Sequence, residues 1–364
     1  MSRPDVWHLI APAPFGGAES VVESLAIGRR EGGRATGVIL LTEGPEHPLA
    51  DRLRAAGVVV VCVTSAHYGY RSQVRGVAAL LTRDAVLHTH AYQADVVGFF
   101  AARRVGCAIV ASNHGYAGGG LRNRLYEWLD RQTLRRIDAV LAVSKRNADR
   151  LRAWGHRGAP LFVIPNGWRP VPTMSRVEAR AVLGVERDGI LVGWIGRMSE
   201  EKGGDLLIAA LQNEPTLPAK VCMIGDGPER AHLEATVRNS RLEGVVHFTG
   251  ALPNPAQLSS AFDLLAISSR TEGLPMVMLE ATNGGAAIVS FAVGGIPEYL
   301  DESSAWLVRP GDVSGFHRAL IDAVTDTSAR AGRAERARSV LNSRLGLVTW
   351  LADVESVYDR VRRR

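Results

Sequence analysis

The chain alternates short, continuously apolar runs with longer segments whose apolar residues recur at helical spacing. Strands that are apolar at every position, rather than at every second one, are typical of parallel sheets covered on both faces. Their alternation with amphipathic helices predicts an α/β fold with helices on both faces of each sheet. The predicted strands lie in VWHLIAP, ATGVILLT, GVVVVCVT, AVLHTHA, AIVASNH, AVLAVS and LFVIPNG in the first half, and in ILVGWIGR, AKVCMIGDG, VVHFTG, LLAISSR, AAIVSFA and AWLVRPG in the second.

A proline-rich segment divides this pattern into two halves. The segment PNGWRPVPTMSR, residues 165–176, contains three prolines and a glycine, and a new series of strands begins after it. At 364 residues the chain is also long enough for two domains of ordinary size. We therefore predict two doubly wound, Rossmann-like domains joined at this segment. The last segment, VTWLADVESVYDRVRRR, predicts one amphipathic helix.

The glycine and charged clusters of the chain follow its predicted strands. In open α/β sheets, ligands bind beyond the carboxyl ends of the strands, where connecting loops meet helix N-termini. Two facing domains with their loops arranged in this way predict a ligand cleft between them. The clusters are PFGGAES, GRMSEEKGG, GDGPE, SSRTEGLP and AVGGIPE.

Two of these loops carry features suited to a phosphate. Arg197 and Lys202 flank a turn that leads into a helix predicted to begin at about Gly203. Two cations at a helix N-terminus favour a phosphate or diphosphate, because the helix dipole and the free N–H groups add to their charge. The alternative is a pair of solvated cations near acidic neighbours. In the next loop, Gly225 and Gly227 allow a ligand or another stretch of backbone to come close.

The segment SSRTEGLPMVMLEA carries two carboxylates that need partners, Glu272 and Glu280. We predict a helix beginning at about Leu274, so that the N–H groups of Gly273 and Leu274 could receive a diphosphate. Glu272 would then accept hydrogen bonds from the attached group, and Glu280 from a diol such as a ribose. The alternative is that Glu280 caps another helix or pairs with an arginine.

The first half offers weaker candidates. Gly16 and Gly17 lie between the first strand and a helix, but the GxGxxG dinucleotide fingerprint is absent. His90 and His114 each end a predicted strand, and the alternative for both is an ordinary hydrogen-bonded histidine. No Asp-x-Asp pair ends a strand, so a nucleotide-bound divalent metal lacks its usual carboxylate ligands, and we predict no metal. The three cysteines are far apart, which suits a reducing cytoplasm without disulfides.

The basic residues of the chain indicate a candidate contact surface and do not discriminate between folds. The formal net charge is +6, and residues 122–157 contain ten basic and four acidic residues. Basic residues mixed with apolar ones suit an anionic membrane surface, which predicts peripheral association with the inner face of the cell membrane. The alternative is a solvated, arginine-rich helical face. A nucleic-acid binder is disfavoured because aromatic platforms and recognised motifs are missing. The apolar residues of this segment are Leu125, Trp128, Leu129 and Trp154.

Six segments together resemble the retaining GT-B glycosyltransferases of family 4, the glycosyl transferase group 1 type. The segment EGLPMVMLE, from Glu272 to Glu280, resembles the E-x7-E signature of that family, and GRMSEEKGGDLLIAA resembles its phosphate-binding element. The segments IGDGPE, VGGIPE, FGGAE and PNG resemble further family segments in the family's order. One departure is the turn NGGAA, which has Ala287 where the family commonly has proline.

The resemblance implies a GT-B fold of two domains facing across a cleft, with a C-terminal helix that crosses back to the first domain. The first domain, 1–168 with about 350–364, would bind the acceptor, and the second, 169–349, would bind the donor. The implied donor is a UDP- or GDP-linked sugar. The implied acceptor is a glycan or a lipid-linked molecule, and the usual setting is bacterial surface polysaccharide synthesis. The implied enzyme is a retaining, hexosyltransferase-type transferase (EC 2.4) that works without a metal or cofactor.

The resemblance also implies a role for each candidate residue. The implied catalytic residues are Glu272, His114, Arg197 and Lys202, with the two cations holding the diphosphate and His114 beside the acceptor and the anomeric carbon. The implied donor-binding residues are Gly16, Gly17, Arg197, Lys202, Gly225, Gly227, Glu272, Gly273, Leu274, Pro275 and Glu280. Other classes stay open: a GT-B relative with sugar-nucleotide epimerase or phosphorylase chemistry, or a non-catalytic subunit that binds sugar nucleotides.

Overall fold

The computed structural model describes residues 3–12, 17–42, 47–64, 69–116, 121–212 and 217–363. They form two compact units. Unit 1 runs to Arg169 and resumes at Leu345, and unit 2 spans Pro170–Arg344. The sequence led us to expect the first domain to end at 168 and to resume at about 350.

Each unit is built on one parallel sheet, and every predicted strand segment contains a strand. In unit 1 the strands lie in the order β3-β2-β1-β4-β5-β6-β7, and in unit 2 in the order β10-β9-β8-β11-β12-β13. The prediction of an α/β fold with two doubly wound sheets is therefore confirmed. The strands are β1 Val6–Ile10, β2 Thr36–Thr42, β3 Val59–Thr64, β4 Val86–His90, β5 Ala108–Asn113, β6 Ala139–Ala142, β7 Leu161–Val163, β8 Leu191–Ile195, β9 Lys220–Ile224, β10 Val246–Gly250, β11 Leu264–Ile267, β12 Ala287–Phe291 and β13 Trp306–Val308.

Within the described residues, consecutive strands are connected by helices or, before β11, by the 3₁₀ segment Pro255–Ala261; three helices follow β13, and a second 3₁₀ segment spans Glu200–Lys202. The predicted C-terminal helix is present. The helices are α1 Gly17–Glu31, α2 Pro48–Ala55, α3 Tyr70–Leu80, α4 Tyr92–Val105, α5 Leu121–Leu134, α6 Lys145–Ala153, α7 Arg176–Leu183, α8 Gly204–Gln212, α9 Arg230–Asn239, α10 Met276–Asn283, α11 Ile296–Tyr299, α12 Val313–Thr325, α13 Thr327–Arg344 and α14 Leu347–Arg362.

The inner strands of unit 1 are buried on both faces, as their continuous apolar runs predict, whereas the edge strands β3 and β7 are partly exposed. Along β2, Ile39 packs into the core on one face of the sheet, together with Leu9 and Leu87. Its neighbours Val38 and Leu40 pack into the core on the other face. Successive side chains of a strand point to opposite faces, so a strand covered by helices on both sides must be apolar at every position.

The strand order reverses at one place in each sheet, and these places position the candidate sites. In unit 1 the reversal lies between β1 and β4, and in unit 2 between β8 and β11. The connections after two such strands run to opposite sides, which leaves a crevice at their carboxyl ends. The loops that follow β8 and β11 carry Arg197, Lys202 and Glu272.

Helix α14 completes unit 1. Its Trp350, Val354 and Tyr358 are buried. Glu355 forms ion pairs with Arg29 of α1 and with Arg34. The apolar face of α14 is buried in unit 1, and the Glu355 carboxylate is buried beside two arginines of that unit. These two contacts explain why the C-terminal residues belong to the first unit.

Candidate active site

The loops after β8 and β11 are held side by side in unit 2. Ser268 Oγ donates a hydrogen bond to the carbonyl oxygen of Gly203 at 2.6 Å. The backbone N–H of Arg270 donates to the carbonyl oxygen of Glu201 at 2.8 Å. The Arg270 guanidinium also forms a bidentate ion pair with Asp205, at 2.7 and 2.6 Å. These bonds place the predicted phosphate element next to the segment that begins with Glu272.

Glu272 has a side-chain partner from the neighbouring loop. Lys202 Nζ lies 2.7 Å from Oε1 of Glu272 and 2.9 Å from Oε2. Ser269 Oγ donates a further hydrogen bond to Oε1 at 2.7 Å. The Glu272 side chain is only 7% exposed, whereas that of Lys202 is 30% exposed. A buried carboxylate requires such partners, and Lys202 therefore neutralises Glu272 as well as being available to a ligand.

Arg197 supplies a second cation at the same edge of the sheet. It directly follows the end of β8, and its residue surface is exposed. Among the described residues its guanidinium forms neither a hydrogen bond nor an ion pair. Because Lys202 is paired with Glu272, Arg197 is the cation of this loop that has no side-chain partner among the described residues. An anion that approached the loop would meet Arg197 first and would compete with Glu272 for Lys202.

The predicted glycines of the β9 loop are required by close contact with other backbone. A Cβ atom added to Gly225, whose φ is 142°, would lie 1.9 Å from the carbonyl oxygen of Gly196. A Cβ atom on Gly227 would lie 2.3 Å from the carbonyl oxygen of Met198. Met198 in turn donates its N–H to the carbonyl oxygen of Asp226 at 2.9 Å. These glycines hold the β8 loop in position through its backbone.

The prediction for the start of α10 was wrong by two residues. The helix begins at Met276 rather than at about Leu274, and Pro275 is its N-cap residue with φ −72° and ψ 121°. A residue before proline is disfavoured in the helical conformation, so Leu274 stays outside the helix. The free N–H groups of the first turn therefore belong to Met276 and Val277, and not to Gly273 and Leu274.

The bend before α10 is supported by the loop after β12. Gly295 donates its N–H to the carbonyl oxygen of Gly273 at 2.6 Å. Gly294 has a φ of +58°, and a Cβ atom there would lie 2.3 Å from the carbonyl oxygen of Glu272. The segment VGGIPE thus packs directly against the bend that carries Glu272. Glu280 lies in the second turn of α10 and is partly exposed.

Four histidines meet in unit 1, at the strand-order reversal between β1 and β4. The register of the sheet places His8 opposite His88. His8 Nδ1 lies 3.2 Å from His90 Nε2, and His90 Nδ1 lies 3.3 Å from His114 Nε2. Burial lowers the pKa of all four, that of His114 to about 4. The imidazoles are therefore neutral near pH 7.

This cluster also contains residues that the sequence did not single out. His88 bonds through Nδ1 to the hydroxyl of Tyr358, at 2.6 Å, and through Nε2 to Ser112 Oγ, at 2.8 Å. Two signals were available for the histidines: His8 interrupts an otherwise apolar strand, and residues two apart in β4 share one face. No local signal pointed to Tyr358, because it comes from the end of the chain.

Three of the histidines could hold a metal ion. Candidate ligand atoms of His8, His88 and His90 all lie within 4.8 Å of one another. However, of their six ring nitrogens only His8 Nε2 has no hydrogen-bond partner among the described residues. The charge of Arg29 also lowers the pKa of His8 and His88, and it would oppose a further cation. This environment suits hydrogen-bonded imidazoles better than a divalent ion.

Two predictions concern the start of α1. Gly16 lies outside the described residues. Gly17 is the first residue of α1 and is exposed. Its predicted contact with the donor stays a prediction.

The predicted membrane-facing residues separate into two groups. On α5, Leu125, Trp128 and Leu129 are 55%, 51% and 40% exposed, and we call these three residues the α5 surface. Trp154 is instead half-buried, with the guanidinium carbons of Arg131 and Arg150 lying 4.7 and 4.4 Å from its ring centroid. Trp154 therefore stacks with arginines and is not part of an apolar surface. Among the described residues, no helix has the length and apolar character needed to cross a membrane.

Two family models match successive parts of the chain. The model described as glycosyl transferases group 1 matches residues 175–340, and the model described as glycosyltransferase family 4 matches residues 15–170. The first covers the loops that carry Arg197, Lys202 and Glu272. The second covers His88, His90 and His114 of the histidine cluster, but not His8. The chain belongs to the family 4, group 1 glycosyltransferases.

Similar proteins agree with this family. The 2-deoxystreptamine N-acetyl-D-glucosaminyltransferase of Streptomyces fradiae is 33% identical over 217 residues, which are 57% of this chain and 52% of that protein. The lipopolysaccharide core biosynthesis glycosyltransferase LpsE of Rhizobium meliloti (strain 1021) is 32% identical over 163 residues, 44% of this chain and 47% of that protein. The chain thus spans about half the length of the curated relatives it matches.

A solved structure establishes the fold over nearly the whole chain. The crystal structure of Anabaena HepE in complex with UDP and glucose has a TM-score of 0.84 and is 23% identical. The match covers 98% of this family 4 chain and 99% of that one. The GT-B fold that the sequence predicted is therefore confirmed.

Proposed function

We propose that this chain is a retaining, metal-independent, hexosyltransferase-type glycosyltransferase that moves a sugar from a nucleotide diphosphate to a glycan or lipid-linked acceptor. The observation that carries the proposal is the pairing of Lys202 with Glu272, beside the exposed Arg197, at the strand-order reversal of unit 2. In this proposal Lys202 contacts both the Glu272 carboxylate and the diphosphate of the donor. A cation in that position stabilises the negative charge that grows on the leaving nucleotide during transfer.

Each residue has a proposed role in unit 2, the proposed donor-binding domain. Arg197 and Lys202 bind the diphosphate and stabilise the charge of the departing nucleotide. Glu272 accepts hydrogen bonds from the donor sugar, and Glu280 accepts them from the ribose. We keep Gly273, Leu274 and Pro275 as proposed donor contacts, and the corrected start of α10 adds the free N–H groups of Met276 and Val277 to the anion site.

The proposed donor is a UDP- or GDP-linked sugar, and the likeness to HepE in complex with UDP favours UDP. The proposed acceptor side is unit 1, where His114 lies at the end of β5. The likeness to a lipopolysaccharide core glycosyltransferase supports a role in bacterial surface polysaccharide synthesis.

A thermal-shift panel of UDP, GDP, ADP and their sugars tests the donor assignment. We expect one nucleotide class to raise the melting temperature, because a ligand that binds only the folded state stabilises it. Glu280→Ala should weaken the binding of that ligand by about 1.5–3 kcal/mol, roughly ten- to a hundredfold in Kd, because charge-assisted hydrogen bonds are lost. Glu243→Ala, at an exposed glutamate before the amino end of β10 in unit 2, is the control. If no nucleotide or nucleotide sugar of the panel raises the melting temperature, the proposal is wrong.

We also propose that the α5 surface contacts an anionic membrane at the cytoplasmic side. The helix is anchored on its other side by Asp130, whose Oδ2 accepts a hydrogen bond from the Tyr116 hydroxyl at 2.6 Å. Leu125, Trp128 and Leu129 are thus left facing outward, next to the exposed Arg124. An apolar face bordered by basic residues binds anionic interfaces, and α5 follows the strand that ends near His114.

Flotation with liposomes tests this contact. The wild-type chain should float with anionic vesicles and much less with neutral ones, because attraction to acidic lipids adds to apolar insertion. The double variant Leu125→Ser/Trp128→Ser should lose most of this binding. Val177→Ser/Val182→Ser, at residues 47% and 54% exposed in unit 2, should float like the wild type. Equal binding to both vesicle types, or none, contradicts the contact.

A further inference from the structure

Three imidazoles in unit 1 form a hydrogen-bonded series that ends at His114. His8 Nδ1 faces His90 Nε2 at 3.2 Å, and His90 Nδ1 faces His114 Nε2 at 3.3 Å. His8 and His90 are fully buried, whereas His114 is partly exposed. The series therefore has one closed end, at His8, and one end that is open to a ligand.

The number of protons limits how this series can be arranged. Each neutral imidazole carries one N–H and one lone pair, so each link needs exactly one of its two nitrogens protonated. Both links are satisfied only if all protons point in the same direction along the series. Either His8 donates to His90 and His90 to His114, or His114 donates to His90 and His90 to His8.

The closed end decides between these two directions. His8 Nε2 is buried and has no hydrogen-bond partner among the described residues. If the protons pointed toward His8, this nitrogen would carry an unpaired N–H. If they point toward His114, it carries an unpaired lone pair instead. Buried N–H groups without an acceptor are rarer than buried acceptors with unused lone pairs, so the second direction is favoured.

We propose that His90 is a positioning residue that donates its Nδ1–H to Nε2 of His114 and thereby fixes the proton of His114 on Nδ1. His114 then presents an N–H donor to the acceptor-side site, where a sugar hydroxyl or another ligand oxygen can receive it. It is correspondingly excluded as the base that takes the proton of the acceptor hydroxyl. The tautomer stands on the histidine geometry alone, and only its catalytic consequence rests on the proposed function.

The position of the proton can be measured by NMR of protein labelled with ¹⁵N-histidine. At about pH 8.5, histidines with ordinary pKa values near 6.5 are also neutral. Protonated and unprotonated imidazole nitrogens have well separated ¹⁵N shifts, and His114→Gln identifies the His114 signals. His156 is an internal reference of the opposite tautomer, because its Nε2 faces the carbonyl oxygen of Ala159 at 2.9 Å and must donate.

We expect Nδ1 of His114 to be protonated and Nε2 to be unprotonated. A protonated Nε2 on His114 overturns the proposal. Zinc ions that shift or broaden the signals of His8, His88 and His90 at one equivalent also overturn it, because the cluster would then be a metal site.

Two variants separate positioning from packing. His90→Asn keeps an amide N–H donor at the place of Nδ1, and His90→Leu removes it. In His90→Leu the two ¹⁵N shifts of His114 should converge as the tautomers mix, and kcat should fall about tenfold, as expected for one lost hydrogen bond, with the donor KM little changed. His90→Asn should keep the shifts of the wild type and most of its kcat.

The two proposals fail in different ways. If the wild type transfers no sugar from any nucleotide sugar but His114 carries its proton on Nδ1, the proposed function is wrong and the assignment of the tautomer stands. If the wild type is active and both variants of His90 lose kcat equally without a change in the His114 shifts, His90 has only a packing role and the positioning proposal is wrong.

Discussion

Lys202→Met is expected to lower kcat/KM for the nucleotide-sugar donor about a hundredfold to a thousandfold, the usual effect of removing one preorganised group that stabilises developing negative charge. The same change leaves the carboxylate of Glu272, 7% exposed, with Ser269 as its remaining side-chain partner among the described residues. Because a buried charge without a counter-charge is costly, the free energy of unfolding should fall by about 1–3 kcal/mol. Steady-state kinetics and urea denaturation measure the two effects.

A double variant separates catalysis from stability. Lys202→Met/Glu272→Gln replaces the orphaned carboxylate by a neutral amide, so the stability lost in the single variant should largely return. Its kcat/KM should stay low, because neither the cation nor the carboxylate is present. If Lys202→Met keeps the kcat/KM of the wild type, Lys202 does not bind the diphosphate, whatever its effect on stability.

Gly225→Ala is expected to damage both the stability of unit 2 and the binding of the nucleotide. Its new Cβ atom would lie 1.9 Å from the carbonyl oxygen of Gly196, which is backbone and cannot rotate away. The β8 loop would have to move, which should cost about 1–3 kcal/mol of unfolding free energy, as overpacking does. Since Arg197 is the next residue in this loop, the displacement should also weaken nucleotide binding at least tenfold.

Gly189→Ala is the matched control for this prediction. Gly189 also has a positive φ, +85°, but a Cβ atom there meets nothing within 4 Å. The Gly189→Ala variant should therefore lose only about 1–2 kcal/mol of unfolding free energy, the cost of alanine in the left-handed conformation, and should keep its affinity for the nucleotide. Urea denaturation and calorimetric titration compare the two variants. If Gly225→Ala and Gly189→Ala bind the nucleotide equally well, contact between the loops after β8 and β9 does not position Arg197.

The fold could be predicted because its signal is local. A strand covered on both faces must be apolar throughout, so each run revealed one strand without reference to the others. The start of α10 was misplaced because the helical pattern of the apolar residues was followed through Leu274. Pro275 restricts the residue before it, and this local steric rule should have outweighed the pattern.

The candidate site was predicted only as a set of residues without their pairing. Lys202 and Glu272 are 70 positions apart, and they meet because β8 and β11 are neighbours at the strand-order reversal. The sequence indicated the strands but not their order in the sheet, so the Lys202–Glu272 ion pair was out of reach. Trp154 was misassigned for a similar reason, since its stacking on Arg131 and Arg150 depends on how two helices pack.

The attachment of α14 to unit 1 has a consequence for biosynthesis. Unit 2, Pro170–Arg344, is continuous, and it can finish folding as soon as it leaves the ribosome. Unit 1 is started first but must wait for its closing helix, which carries Glu355 and Tyr358. Domains usually mature in the order of their synthesis, whereas here the later-made unit can mature first. Until α14 is made, the surface that it covers, which includes Arg29 and His88, stays open to solvent.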